Sequence, residues 1–185
     1  KFGVEAPAQP KKIMIDYDLK KIKAMIFDVD GVLSCNVMPM AEDGNPVRTV
    51  NVKDGYAMQL AAKSGLLMSI ITGARVASVA KRFEYLGIKD VYIASSVKIN
   101  DFNDFVGKYN LKSDEILYMG DDIPDYQVMK LVGLPCCPAD AAPEIKAISK
   151  YVSPIKGGYG CVRDVVEQVL KEKKLWLADD HAFGW

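Results

Sequence analysis

The feature that most constrains the fold is the run Ala24-Met25-Ile26-Phe27, which stops at Asp28-Val29-Asp30-Gly31. Four apolar residues without polar alternation predict a strand covered on both faces, and such strands belong to parallel sheets flanked by helices. The two carboxylates then stand at the strand's C-terminal edge, where open α/β sheets bind ligands. On an extended strand their side chains would share a face, but a turn at Gly31 can rotate Asp30 away and leave its carbonyl free.

The rest of the chain repeats this alternation. Apolar runs predict further strands over 66–71, 90–94, 116–119, 134–137 and 151–152. Helical spacing predicts helices over 54–63, 74–86, 100–109, from the fourth strand through Leu131, and over 142–149 and 161–171. Strand and helix in strict turn imply an α/β fold, a doubly wound parallel sheet with right-handed crossovers. Residues 33–40 and 47–52 flank Asp43-Gly44, a hairpin signal, and predict a β-hairpin projecting over the strand ends. Residues 1–20 read as an N-terminal tail, 21–172 as one domain, and 173–185 as a C-terminal tail. The tail's Trp176 and Trp185 pack either on their own domain or on a partner subunit.

Several function classes fall away. A formal net charge of zero argues against a nucleic-acid surface, and no run of 18 apolar residues predicts a membrane span. Residues 1–10 are too polar for a signal peptide. The only histidine, His181, lies near the C-terminus, so no interior base serves a Ser/His or Cys/His mechanism. Cys35, Cys136, Cys137 and Cys161 lack metal spacing, and the adjacent pair would make a strained disulfide; thiols in a reducing cytoplasm are expected. Lys156-Gly157-Gly158-Tyr159-Gly160 lacks the Gly-Lys-Ser/Thr ending of a phosphate-binding Walker loop.

What the runs end on narrows the chemistry. The second closes on Thr72-Gly73, Lys98 follows the third, and the fourth ends on Gly120-Asp121-Asp122 with Asp125 beyond. This ordered set, from about Lys23 to Val169, resembles the haloacid dehalogenase superfamily of phosphatases, with Asp28 and Asp30 as first motif, Thr72 as second, Lys98 as third and Asp121 with Asp122 as fourth. The resemblance implies Mg²⁺-dependent hydrolysis through an aspartyl phosphate. Asp28 would be the nucleophile and Asp30 the acid and base, while Thr72, the Gly73 amide at the next helix start and Lys98 would hold the phosphate. Mg²⁺ would be held by Asp28, the Asp30 carbonyl and Asp121, with Asp122 near or behind it, and Asp125 would orient Asp121 and Lys98. The superfamily's usual cap insertion is missing, since the first gap holds only the hairpin and a helix.

Within the superfamily the short chain, the hairpin, Asn51-Val52-Lys53-Asp54-Gly55-Tyr56 and Gly157-Gly158-Tyr159-Gly160-Cys161-Val162-Arg163 resemble the capless phosphatases of 3-deoxy-D-manno-octulosonate 8-phosphate and of related nine-carbon sugar acids. That resemblance implies a homotetramer in which a neighbour's C-terminal segment covers the site. Lys53, Asp54 and Gly55 would face a sugar-acid phosphate, and Arg163 or the loop before it would belong to the covering tail. One departure stands out: those enzymes carry Arg directly after Thr-Gly, whereas here Ala74 stands there with Arg75 next, so either Arg75 substitutes or the substrate differs. Two other readings stay open: a receiver-like phospho-acceptor, though receivers place their acceptor Asp later and lack Gly-Asp-Asp after the Lys, and a pseudoenzyme scaffold. A phosphomutase generally needs a cap to exclude water.

Overall fold

The computed structural model describes residues 13–185. Strands β1 (Ala24–Phe27), β2 (Leu67–Ile71), β3 (Asp90–Tyr92), β4 (Ile116–Met119), β5 (Leu134–Cys137) and β6 (Tyr151–Val152) form one sheet. Its order is β3-β2-β1-β4-β5-β6 and every pairing is parallel. Helices α1 (Val52–Lys63), α2 (Ala77–Tyr85), α3 (Lys98–Tyr109), α4 (Tyr126–Met129), α5 (Pro143–Ile148) and α6 (Cys161–Glu172) cover it.

The pleat distributes the central strand between two cores. Met25 and Phe27 join the side chains of α1, α2 and α6, including Leu60, Phe83 and Val166. Ala24 and Ile26 join those of α3, α4 and α5, including Phe105, Met129 and Ile145. All four are fully buried. At about 1.5–3 kcal/mol per large apolar side chain removed from water, β1 is an anchor of the fold. Because the chain runs from β1 outward to β2 and β3, then returns to β4 on the other side of β1, the segments leaving β1 and β4 diverge. They open a crevice at the strand ends.

Helix starts differ from the periodicity for local reasons. α1 begins at Val52 rather than 54 because the Asn51 side chain caps it, accepting from the amides of Lys53 (2.9 Å) and Asp54 (3.2 Å). α2 begins at Ala77, not 74, since Val76 is still extended and the Ala74 amide is engaged by the Thr72 hydroxyl oxygen at 3.2 Å. The helix expected to run from β4 through Leu131 opens as a 3-10 turn, Ile123–Asp125, and its α-helical part ends at Met129.

The β-hairpin is the main correction. Between β1 and α1 the chain does double back, with Met40 bridging Pro46 and Val47 donating to the Pro39 carbonyl at 2.8 Å, but no two-stranded ladder forms. Pro39 and Pro46 have no amide hydrogen to extend it. Side chains tie the base of the segment instead: the Thr49 amide donates to Ser34 Oγ at 2.9 Å. No inserted domain interrupts the described residues.

Of the expected N-terminal tail, residues 1–12 lie outside the described residues, and the remainder packs on the body. Ile15 and Leu19 are buried, and the Ile15 amide donates to Gln168 Oε1 at 2.9 Å. The C-terminal tail also returns to its own chain. Trp176 and Trp185 meet the Tyr56 ring edge-on at 5.9 and 6.2 Å, and Tyr56 Oη donates to the Ala182 carbonyl at 2.5 Å.

Candidate active site

Four chain segments meet in the crevice beside β1 and β4, around a cavity of about 400 Å³. Asp28 follows β1 directly and its amide donates to the Met119 carbonyl of β4 at 3.1 Å, so the carboxylate is placed by the sheet itself. Its Oδ1 accepts from the Val29 amide at 2.7 Å and its Oδ2 lies 2.9 Å from Lys98 Nζ. Lys98, the first residue of α3, also donates to Asp125 Oδ1 at 2.7 Å. Tyr118 Oη donates to that same oxygen at 2.6 Å, and the Asp121 amide to Asp125 Oδ2 at 3.2 Å. Asp125 thus accepts three hydrogen bonds, and it ties Lys98 to the backbone that carries Asp121.

Two glycines make the close approach possible. A Cβ on Gly31 would stand 1.9 Å from Asp121 Oδ2, and Gly31 itself adopts φ +83°. A Cβ on Gly120 would stand 2.4 Å from the Asp125 side chain. These positions give the Asp-Gly and Gly-Asp pairs of the sequence a steric cause.

The electrostatics describe an acid cluster short of positive charge. Burial, then the neighbouring Asp125, pushes Asp28 up to about 7 against the pull of Lys98. Burial followed by Asp28, Asp125 and Asp122 pushes Asp121 up to about 8. Burial alone would lower Lys98, but Asp28 and Asp125 outweigh it and raise the ammonium's pKa. Carboxylate oxygens of Asp28, Asp121 and Asp125 all lie within 4.8 Å of one another, close enough for one small cation. Asp125 accepts three hydrogen bonds and Asp28 one on each oxygen, while the Asp121 carboxylate accepts none among the described residues, so Asp121 and the remaining lone pairs of Asp28 are the open donors. Hard oxygen donors of this kind suit Mg²⁺.

Thr72, Gly73, Asp30 and Asp122 also line the cavity. Thr72 is buried, and Asp122 is exposed and stands outside the tight acid cluster. The Gly73 amide does not sit at a helix start, because α2 begins only at Ala77. Arg75 is exposed, Lys53 is exposed on the first turn of α1, and neither lines the cavity. Gly55 faces the Arg82 guanidinium, and Asp54 is buried where α1 meets α6, with Oδ1 accepting from the Arg163 amide at 2.6 Å. Arg163 stacks over Trp176 at 4.4 Å.

Asp54 Oδ2 has no hydrogen-bond partner among the described residues, and burial pushes the carboxyl from 3.8 up to about 6. Its unfolded form gives up the proton first, so this group lowers stability as pH rises from about 4 to 6, by about 3 kcal/mol, and the loss persists above that range. Asp54→Asn should therefore gain on the parent by about that amount between pH 4 and pH 7 in urea titrations. Parallel pH dependences of the two proteins would reject this assignment.

Sequence reasoning missed Arg48, whose Nε and Nη2 each lie 2.7 Å from an Asp30 carboxylate oxygen. Its signal was available: Arg48 is the single cation between Leu33 and Val52. It also missed Tyr118, which reads as one more apolar residue of β4.

Fold and site together define a doubly wound α/β protein that gathers three carboxylates and one buried lysine at the ends of its central strands. A family model described as haloacid dehalogenase-like hydrolase matches residues 87–157. The chain is 38% identical over 151 residues to 3-deoxy-D-manno-octulosonate 8-phosphate phosphatase KdsC of Escherichia coli K12, covering 82% of this chain and 80% of that one. It superposes on the crystal structure of the Yersinia pestis phosphatase of that name with a TM-score of 0.81 and 34% identity, over 85% of both chains. The Moraxella catarrhalis phosphatase, crystallised with magnesium, phosphate and KDO, gives a TM-score of 0.79 at 30% identity, covering 84% of this chain and 89% of that one. The chain belongs to the haloacid dehalogenase-like hydrolases.

Proposed function

We propose that this protein is a Mg²⁺-dependent phosphatase of a sugar-acid phosphate, 3-deoxy-D-manno-octulosonate 8-phosphate or a similar 2-keto-3-deoxy sugar acid ester. The observation that carries the reading is Asp28 held between Lys98 and the other clustered acids, with its Oδ2 2.9 Å from Lys98 Nζ. The similarity to the octulosonate phosphatases over some four-fifths of the chain selects the substrate class.

Asp28 attacks phosphorus, and the bond to the sugar oxygen breaks as the bond to the carboxylate forms. Asp30 gives its proton to the departing sugar oxygen, then takes one from the water that cleaves the acyl phosphate. Lys98, Thr72 and the Gly73 amide supply donors for the non-bridging oxygens. A carboxylate nearing a phosphate dianion meets roughly 8 kcal/mol of repulsion at about 4 Å and an effective dielectric near 20. Asp28 and Asp121, with the Asp30 carbonyl and Asp122, would hold Mg²⁺, which would supply the charge that offsets this. Asp125 fixes Lys98 and the Asp121 backbone in place.

The test is a screen of sugar-acid and simple sugar phosphates. Turnover of the octulosonate ester with Mg²⁺ and its loss in EDTA are expected; a protein that takes phosphate once and stops would instead be a receiver-like acceptor. A homotetramer with the open site completed by a neighbour fits the absence of an inserted domain among the described residues. It also fits the exposed apolar side chains Val37, Met40, Val47 and Val50 on the segment above the crevice. Light scattering should give four times the chain mass, and a monomer at micromolar concentration would count against it. The free thiols of all four cysteines accord with a cytoplasmic setting.

A further inference from the structure

We propose that Arg48 is the positioning residue of Asp30, a role that rests on the phosphatase reading above and adds a residue to it. The guanidinium grips both carboxylate oxygens of Asp30 through Nε and Nη2, each at 2.7 Å, in the fork geometry that fixes a carboxylate's plane as well as its place. Asp30 lines the cavity, while Arg48 does not. The arginine therefore holds the acid from outside the space a substrate occupies.

An exposed ion pair would carry little weight, because solvent screens it and either side chain moves freely. This pair is different. The Arg48 side chain is only 12% exposed, against 37% for that of Asp30. Its backbone is pinned as well. The neighbouring Thr49 amide donates to Ser34 Oγ, the Thr49 hydroxyl lies 3.3 Å from that same atom, and Arg48 Nη1 donates to the Pro46 carbonyl at 3.4 Å. Ser34 in turn bridges Asp30. The segment over the crevice thus delivers one cation, to one acid, at a fixed angle.

An acid that must hand a proton to one particular oxygen depends on such orientation, since small misplacements of a catalytic group cost large factors in rate. Two of a carboxylate's roughly four lone-pair positions face Arg48, which leaves the others for the reaction. The consequence is selective. A sugar alkoxide leaves only with a proton from Asp30, whereas p-nitrophenolate leaves unaided as a stable anion.

The experiment compares kcat/KM for 3-deoxy-D-manno-octulosonate 8-phosphate and p-nitrophenyl phosphate, a parameter that covers only the steps through release of the alcohol. Arg48→Ala should lower it by about 100-fold for the sugar ester, within the range general acid catalysis contributes, and by no more than about 5-fold for the aryl ester. Arg48→Lys should recover part of the loss. In an Asp30→Asn background Arg48→Ala should cost nothing further, since the arginine acts through the acid. Equal losses on the two esters, no loss on either, or a full additional loss in the Asp30→Asn background would overturn the proposal. Should Arg48→Ala fail to fold by circular dichroism, Arg48→Lys and Arg48→Gln carry the same comparison. A parent that hydrolyses no sugar-acid phosphate of the screen above, or only the aryl ester, overturns the sugar-acid phosphatase reading and this proposal with it, and a parent that prefers another sugar-acid phosphate takes that ester in place of the octulosonate one. A parent that hydrolyses both leaves that reading standing whatever Arg48 does.

Discussion

Asp28→Asn should lose at least about 10⁴-fold in turnover while the protein remains folded. The amide is nearly isosteric, and its single oxygen can accept either from the Val29 amide, 2.7 Å from the carboxylate Oδ1, or from Lys98, 2.9 Å from Oδ2. What it lacks is the charge to attack phosphorus and to hold a metal. The stability readout separates this from simple unfolding. Asp28 is buried, and burial with Asp125 nearby disfavours its ionised form, so the relief of that cost offsets the lost contact with Lys98, which keeps Asp125, and the variant should stay folded in EDTA. Mg²⁺ should then raise the melting temperature of the parent and much less that of the variant. Denaturing the parent during turnover of labelled substrate should trap phosphate on the protein, and the variant should trap none. Ordinary turnover by Asp28→Asn would end the case for a covalent mechanism at this residue.

The sheet was legible because its signals are local and redundant. β1, β4, β5 and β6 stand where the apolar runs place them, the first three because a strand buried on both faces announces itself by composition alone. Helix starts were less legible, because single side chains decide them: Asn51 draws α1 two residues earlier, and the Thr72 hydroxyl helps keep 74–76 out of α2. The hairpin signal at Asp43-Gly44 located the reversal correctly, but Pro39 and Pro46 limit its pairing to a bridge. At the crevice, the gathering of Asp28, Lys98, Asp121 and Asp125 follows from the strand order, of which the βα alternation implies only that the sheet is doubly wound. Arg48 and Tyr118 were hidden for opposite reasons. Arg48 reaches its partner across a segment with no regular periodicity, whereas Tyr118 sits in an apolar run and differs from core only in the hydroxyl it sets on Asp125. Asp54 marks the limit of motif reasoning, since adjacency in sequence to Lys53 and Gly55 says nothing of which way a helix turns its side chains.

Lys98→Met should be the most destabilising single change in the site, by about 3–5 kcal/mol at pH 7 in EDTA. The ammonium stands 2.9 Å from Asp28 and 2.7 Å from Asp125, and its side chain is 5% exposed, so its removal strips both carboxyls of their nearest positive charge. Two buried carboxyls would then face each other without a counter-charge. The sign with pH follows. Asp28 and Asp125 raise the lysine's pKa above 10.5, so its contribution is fully present at neutral pH and is lost only as pH rises through the raised value. On the acid side the penalty should shrink, because Asp28, already pushed up to about 7 beside the lysine, takes a proton and needs no partner. Adding Asp125→Asn to Lys98→Met should restore much of the stability by removing one of the two uncompensated charges, while Tyr118 keeps an oxygen to donate to. Activity should not return with it, since the phosphate would still lack the ammonium, a loss of at least about 10²-fold by analogy with a missing oxyanion donor. Urea titrations of the single and double variants at pH 5 and pH 7 decide the matter. If Lys98→Met matches the parent at both, the lysine is a solvated surface charge and the geometry assigned to this site is wrong.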